Sequence, residues 1–97
     1  MTTAHRDTEA IVAANRRFHD AINAAADNPE AQRMLAQGRV LADALRLRFG
    51  YGAGRSGAIV AEHAALVRAI GKRDAERAAA IALRHCLKAR DDLLARM

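Results

Sequence analysis

The chain has a single cysteine, Cys86, a single proline, Pro29, and no tryptophan. One cysteine excludes any disulfide within the chain and agrees with a reducing compartment. Cysteine behaves as a small apolar residue when buried, and Cys86 reads as one. Aromatic residues are limited to Phe18, Phe49 and Tyr51. That scarcity argues against a surface on which bases stack. No stretch approaches the roughly 20 uninterrupted apolar residues of a membrane span. The opening Met1-Thr2-Thr3-Ala4-His5-Arg6-Asp7 has no apolar segment following a basic one, so it does not read as a secretory leader. A cytoplasmic protein with no membrane contact is the expectation.

What is present fits one small folded domain, residues 1–97. Apolar residues make up 52% of the chain, too many for a disordered segment. Many of them are alanine, which buries little area per residue. A chain this short has a thin stability margin, and association with another subunit would widen it. The net charge is +5. The basic residues are spread along the chain and alternate with acids; Arg16-Arg17 and Lys72-Arg73 are the adjacent basic pairs. The pattern reads as a solvated basic face, and no direct DNA binding by this segment is expected.

Apolar spacing predicts four helices and no strand, an antiparallel all-α bundle. The first runs from about Asp7 or Thr8, either a suitable cap, to Ala26, with Ile11, Asn15, Phe18, Ile22 and Ala25 on one stripe. Asp27-Asn28-Pro29 ends it. Asn28 caps the second helix and Pro29 fits its first position, where the missing N–H costs nothing. That helix runs to about Phe49 with a stripe of Met34, Leu35, Gly38, Leu41, Leu45 and Phe49. Gly38 would weaken it by roughly 1 kcal/mol relative to Ala, which close approach of another backbone would explain. Gly50 to Gly57 form the loop. Gly54-Arg55-Ser56 has a faint likeness to a phosphate-binding loop, but Phe49 stands at the leading Gly, Arg55 replaces the Lys and no strand precedes it. A connector is the better reading. The third helix runs from about Ser56 to Ile70, with Ile59, His63, Leu66, Val67 and Ile70 inward. Asp74 caps the fourth, from Ala75 to near Met97. Its two apolar faces are Ala78, Ile81, Ala82, His85 and Ala89, and Ala80, Leu83, Leu87 and Leu94.

His19, His63 and His85 each sit in or at the edge of one of these apolar stripes; His5 does not. A buried imidazole needs partners for both ring nitrogens, and a shared metal ion is one way to supply them. His63 lies about nine residues before the turn at Lys72 and His85 about thirteen after it. At 1.5 Å per residue the mismatch is about 6 Å, which tilt and loop shape can absorb. His19 levels roughly 9 Å from His63 along the bundle axis. Spacing therefore supports a pair better than a trio. The alternative is three unrelated histidines, each bonded to a carbonyl or a carboxylate. Glu62 and Asp20 point away from the stripes and read as surface carboxylates. Asp92, on the face of His85, could orient that ring, though a solvated helix end suits it better.

Several of these segments form an ordered series. It comprises Asn15-Arg16-Arg17-Phe18-His19-Asp20-Ala21-Ile22, Asn28-Pro29, Glu62-His63-Ala64-Ala65-Leu66-Val67-Arg68-Ala69-Ile70, Arg73-Asp74-Ala75-Glu76-Arg77-Ala78 and His85. The series resembles the ligand-binding FCD domain of FadR-subfamily GntR transcription regulators, from about Asp7 to Leu94. The resemblance implies a helical bundle that dimerises, is not an enzyme, and binds Zn, Ni or a similar divalent metal with a small carboxylate effector at or near it. It maps the family's imidazole ligands onto His19, His63 and His85. It also implies departures: the winged helix-turn-helix, and the first helices of the FCD bundle with their Asp ligand, have no counterpart here. The expectation is a truncated FCD-type sensory domain, homo-oligomeric and unable to bind DNA alone. The alternative is a helical self-association module with no ligand. An enzyme using metal-activated water is a third and weaker reading, since no general base is well placed.

Overall fold

A computed structural model describes residues 3–97, with side chains from Arg6 onward. The segment read against a leader begins outside the described residues, and so does the His5 side chain. The elements are α1 (Thr3–Ala25), α2 (Pro29–Phe49), α3 (Arg55–Gly71) and α4 (Ala75–Arg96). No strand occurs among the described residues, so the expected all-α class holds. The chain divides into two compact units, Met1–Gly50 and Tyr51–Met97, each a hairpin of antiparallel helices.

In the first unit, α1 starts earlier than the caps suggest. Asp7 and Thr8 lie inside the helix because nothing from Thr3 to Arg6 interrupts it. The turn to α2 is fixed by Asn28, whose Oδ1 accepts from the Ala31 N–H at 3.1 Å, with Pro29 behind it. Gln32 Nε2 donates to the Asn23 carbonyl at 2.8 Å and ties the two helices across the turn. Between the helices, Arg16 donates through Nε and Nη2 to Asp43 Oδ2 at 2.8 and 2.6 Å. Val12 is buried on α1, but on α2 the buried residues are Asp43 and Arg46. Arg46 is held at the helix end, where Nη1 donates to the Gly50 carbonyl at 3.1 Å. The apolar stripe expected on α2 is largely exposed: Met34 is 69% and Leu41 64% accessible. The inward stripe follows Arg39, Asp43 and Arg46 instead, a polar face that hydrophobicity alone does not find. Nothing approaches Gly38 closely, so the close-contact explanation for it fails.

In the second unit, Asp74 Oδ1 accepts from the Arg77 N–H at 3.1 Å and starts α4 as expected. The buried positions of α3 are Arg55, Ile59, Leu66 and Ala69. With Glu62 they step by four and three residues, one face of a helix. That face is rotated by about one residue from the one expected: Ala69 is buried while Val67 and Ile70 are exposed. Alanine there lets α4 come close, whereas larger neighbours would hold it off. On α4 the face containing Ala78, Ile81, Ala82, His85 and Ala89 is the covered one, and Leu83, Leu87 and Leu94 are exposed. Cys86 is exposed as well, one helical step outside the covered face, so it is not the buried apolar residue expected.

The connector is more ordered than its glycines suggest. The Gly52 N–H donates to Asp92 Oδ2 at 3.2 Å, and a side chain at Gly52 would collide with the same carboxylate. Asp92 is therefore an anchor for the loop and not merely a solvated helix end. Gly54 takes a left-handed conformation, φ 77°, at the start of α3, which glycine adopts without strain. No described helix is long and apolar enough to cross a membrane.

Candidate metal centre

His85 is buried on α4, and the His63 ring from α3 lies beside it, centroids 4.9 Å apart and planes tilted by 59°. The pair expected from helix levelling across the turn is thus formed. Two neutral imidazoles this close can turn a nitrogen each toward one ion, at the roughly 2.0–2.1 Å that Zn–N bonds require.

The residue that sequence reasoning misplaced is Glu62. It is no surface carboxylate: its side chain is 13% accessible and central to a buried network. Arg55 donates to it in a bidentate fork, Nη1 to Oε2 at 3.0 Å and Nη2 to Oε1 at 2.8 Å. His85 Nδ1 meets the same Oε1 at 2.6 Å. Burial alone would push the Glu62 carboxyl up, but the hydrogen bonds from Arg55 and His85 outweigh it and hold the group below its ordinary range. The ionised form is the one the site favours. Two signals in the sequence pointed to this network. Arg55 and Glu62 are seven residues apart, two helical turns, and both fall on the stripe of Ile59, Leu66 and Ala69. The Arg55 loop motif is accordingly neither a phosphate cradle nor a mere connector; it begins α3 and locks it to α4 through Glu62.

His19 is half-buried on α1 in the first unit, with the Phe18 ring edge-on to it at 5.5 Å. One turn earlier, Asn15 Oδ1 is buried and has no hydrogen-bond partner among the described residues. Its neighbour Asp20 is exposed, as expected. His19, His63 and His85 are the imidazoles whose chemistry could hold a metal ion. The donor chemistry fits: neutral imidazole nitrogens suit Zn and Ni, and three of them leave coordination positions for oxygen ligands.

A groove of about 420 Å³ runs along the α3–α4 hairpin beside His85. Ala58, Ala61, Ala65 and Ile81 give it an apolar lining, and Arg77, Arg84 and Lys88 give it positive charge.

The model of the FCD domain matches residues 1–88 of this chain. No curated protein and no solved structure matches it. FCD domains are the effector-binding and dimerisation part of GntR-type transcription regulators, a family without enzymatic activity. The match spans most of the chain, and the chain belongs to the FCD domain family.

Proposed function

We propose that this chain is a metal-dependent effector-sensing and dimerisation module of a GntR-type regulator, acting in the cytoplasm. His19, His63 and His85 are its metal ligands, and Zn or Ni is the ion that three neutral imidazoles suit best. The observation that carries this reading is the His63–His85 pair, a half-buried ring beside a buried one, in a chain of a family whose members bind effectors. The partnerless buried oxygen of Asn15, one turn before His19, adds a polar group on the helix that would supply the third ligand. The effector is a small carboxylate, bound through the positions the imidazoles leave open. The positive groove beside His85 supports an anion over a cation. Residues 1–97 are read as one FCD-like helical domain, whose three imidazoles leave coordination positions for oxygen ligands. No DNA-binding domain lies within these residues, and dimerisation is the family role they retain.

The test is metal content after purification. The wild-type chain retains Zn or Ni, and the His63→Ala, His85→Ala double variant retains little. Equal content in both removes the site.

A second reading is a helical self-association module with no ligand. The exposure of Met34, Leu35, Val40 and Leu41 on α2 favours it, because apolar side chains at this density on one helix are suited to burial by another subunit. Light scattering separates the two. A mass unchanged by metal, with no thermal shift on adding Zn or Ni, supports self-association alone.

A further inference from the structure

The groups around His85 carry an inference that rests on the metal reading and deepens it. A ring that ligates through one nitrogen must present that nitrogen without a proton and in a fixed direction. On His85 the choice is made by Glu62. Its Oε1 lies 2.6 Å from His85 Nδ1, a charge-assisted distance, and an ionised carboxylate can only accept. Nδ1 must therefore carry a proton. In the neutral ring that leaves the lone pair on Nε2.

Glu62 is itself not left to rotate. The Arg55 fork engages both of its oxygens, at 3.0 and 2.8 Å. Arg55 is 6% accessible, so water contributes little to that pairing. Glu62 precedes His63 in the chain, and His63 is the ring beside His85. One turn of α3 thus supplies one imidazole directly and sets the tautomer and aim of the other. We propose that Glu62, locked by Arg55, is a positioning residue that fixes His85 as the Nδ1–H tautomer and offers Nε2 to the metal.

The experiment has two readouts on the full chain. The first is long-range ¹H–¹⁵N NMR of the imidazoles in the metal-free protein, at a pH where neutral histidine dominates. Wild type is expected to carry the His85 proton on Nδ1, and Glu62→Ala to move it to Nε2 or to a mixture. Glu62→Gln keeps a side-chain oxygen at the same place and is expected to retain the Nδ1–H form, a rescue that bulk destabilisation would not give. It also keeps the proposal testable should Glu62→Ala fail to fold. The second readout is Zn affinity by competition with a chromophoric chelator. Loss of a partner behind a ligating histidine lowers affinity about 10- to 100-fold, which is the effect expected of Glu62→Ala, with Glu62→Gln between it and wild type.

A wild-type His85 with its proton on Nε2 overturns the proposal. So does a Glu62→Ala variant that folds, keeps the Nδ1–H form and binds Zn as wild type does; if that variant does not fold, a Glu62→Gln chain that binds Zn as tightly as wild type overturns it equally. The tautomer is read without metal, so it tests the positioning role independently. A wild-type chain that binds no Zn but shows the Glu62-dependent tautomer removes the metal reading and leaves Glu62's control of the ring standing.

Discussion

The two hairpins are built from similar lengths of helix but stabilised differently. The second buries Ile59, Leu66 and Ala69 and places its ions inside the hairpin, with Arg55 and Glu62 at 6% and 13% side-chain accessibility. The first pairs Arg16 with Asp43, but the Arg16 side chain is 53% accessible, and α2 turns much of its apolar surface to solvent. The same bond type therefore has different weight in each. A buried fork holds its partners because neither can exchange the other for water. A half-exposed one competes with solvent at every moment. The second hairpin is preorganised for chemistry; the first has apolar surface to offer another subunit.

The sharpest way to break this contrast is to remove one partner from each ion pair. Glu62→Ala strands the Arg55 charge in a buried place and should cost about 3–5 kcal/mol. Arg16→Ala removes a largely solvated cation and should cost about 0–1 kcal/mol. Urea unfolding of both variants checks the ranking, and equal losses would erase the distinction.

Core truncation comes next in size. Leu66→Ala in the second hairpin should cost about 2–5 kcal/mol. Leu41→Ala, on the exposed face of α2, should stay within about 0.5 kcal/mol for an isolated chain. A loss at Leu41 that grows with protein concentration would show that a second subunit covers that face.

The caps should affect the two hairpins alike. Asn28 and Asp74 make equivalent bonds, so Asn28→Ala and Asp74→Ala should each cost about 0.5–2 kcal/mol. Thermal melts that differ widely would mean that one hairpin unfolds before the other.

Acid should produce the smallest effect, and in the second hairpin. Burial would raise the Glu62 carboxyl, but its bonds to Arg55 and His85 hold it below the ordinary carboxylate range, so its contribution is fully present above that range. It is lost as pH falls through the lower, folded value, because the unfolded chain then binds the proton first. Stability measured from pH 7 down to pH 3 should fall less steeply in Glu62→Gln than in wild type. Parallel curves would remove Glu62 from the account of acid sensitivity.

Much of this architecture was legible. Asn28-Pro29 and Asp74 marked helix starts by known backbone chemistry, and helical rise across the Lys72 turn predicted that His63 and His85 meet. The errors share one cause. Reading a stripe by side-chain size favours Val67 and Ile70 over Ala69, and Met34 and Leu41 over Asp43 and Arg46. Packing selects what fits and what can be paired, so a small residue or a satisfied ion can hold the inward position. Glu62 was misread for the same reason. Its burial depends on Arg55 and His85, and a carboxylate seven residues from an arginine reads as a surface pair until the third partner is seen.

The proposed function names His19, His63 and His85 as ligands of one ion. It is tested most directly by calorimetric titration of Zn into the wild-type chain and into His19→Ala, with His63→Ala as the reference. The account predicts one ion bound per wild-type chain and an affinity at least about tenfold lower in either variant. A His19→Ala chain that binds Zn as tightly as wild type, while His63→Ala does not, would contradict it and confine the site to the second hairpin.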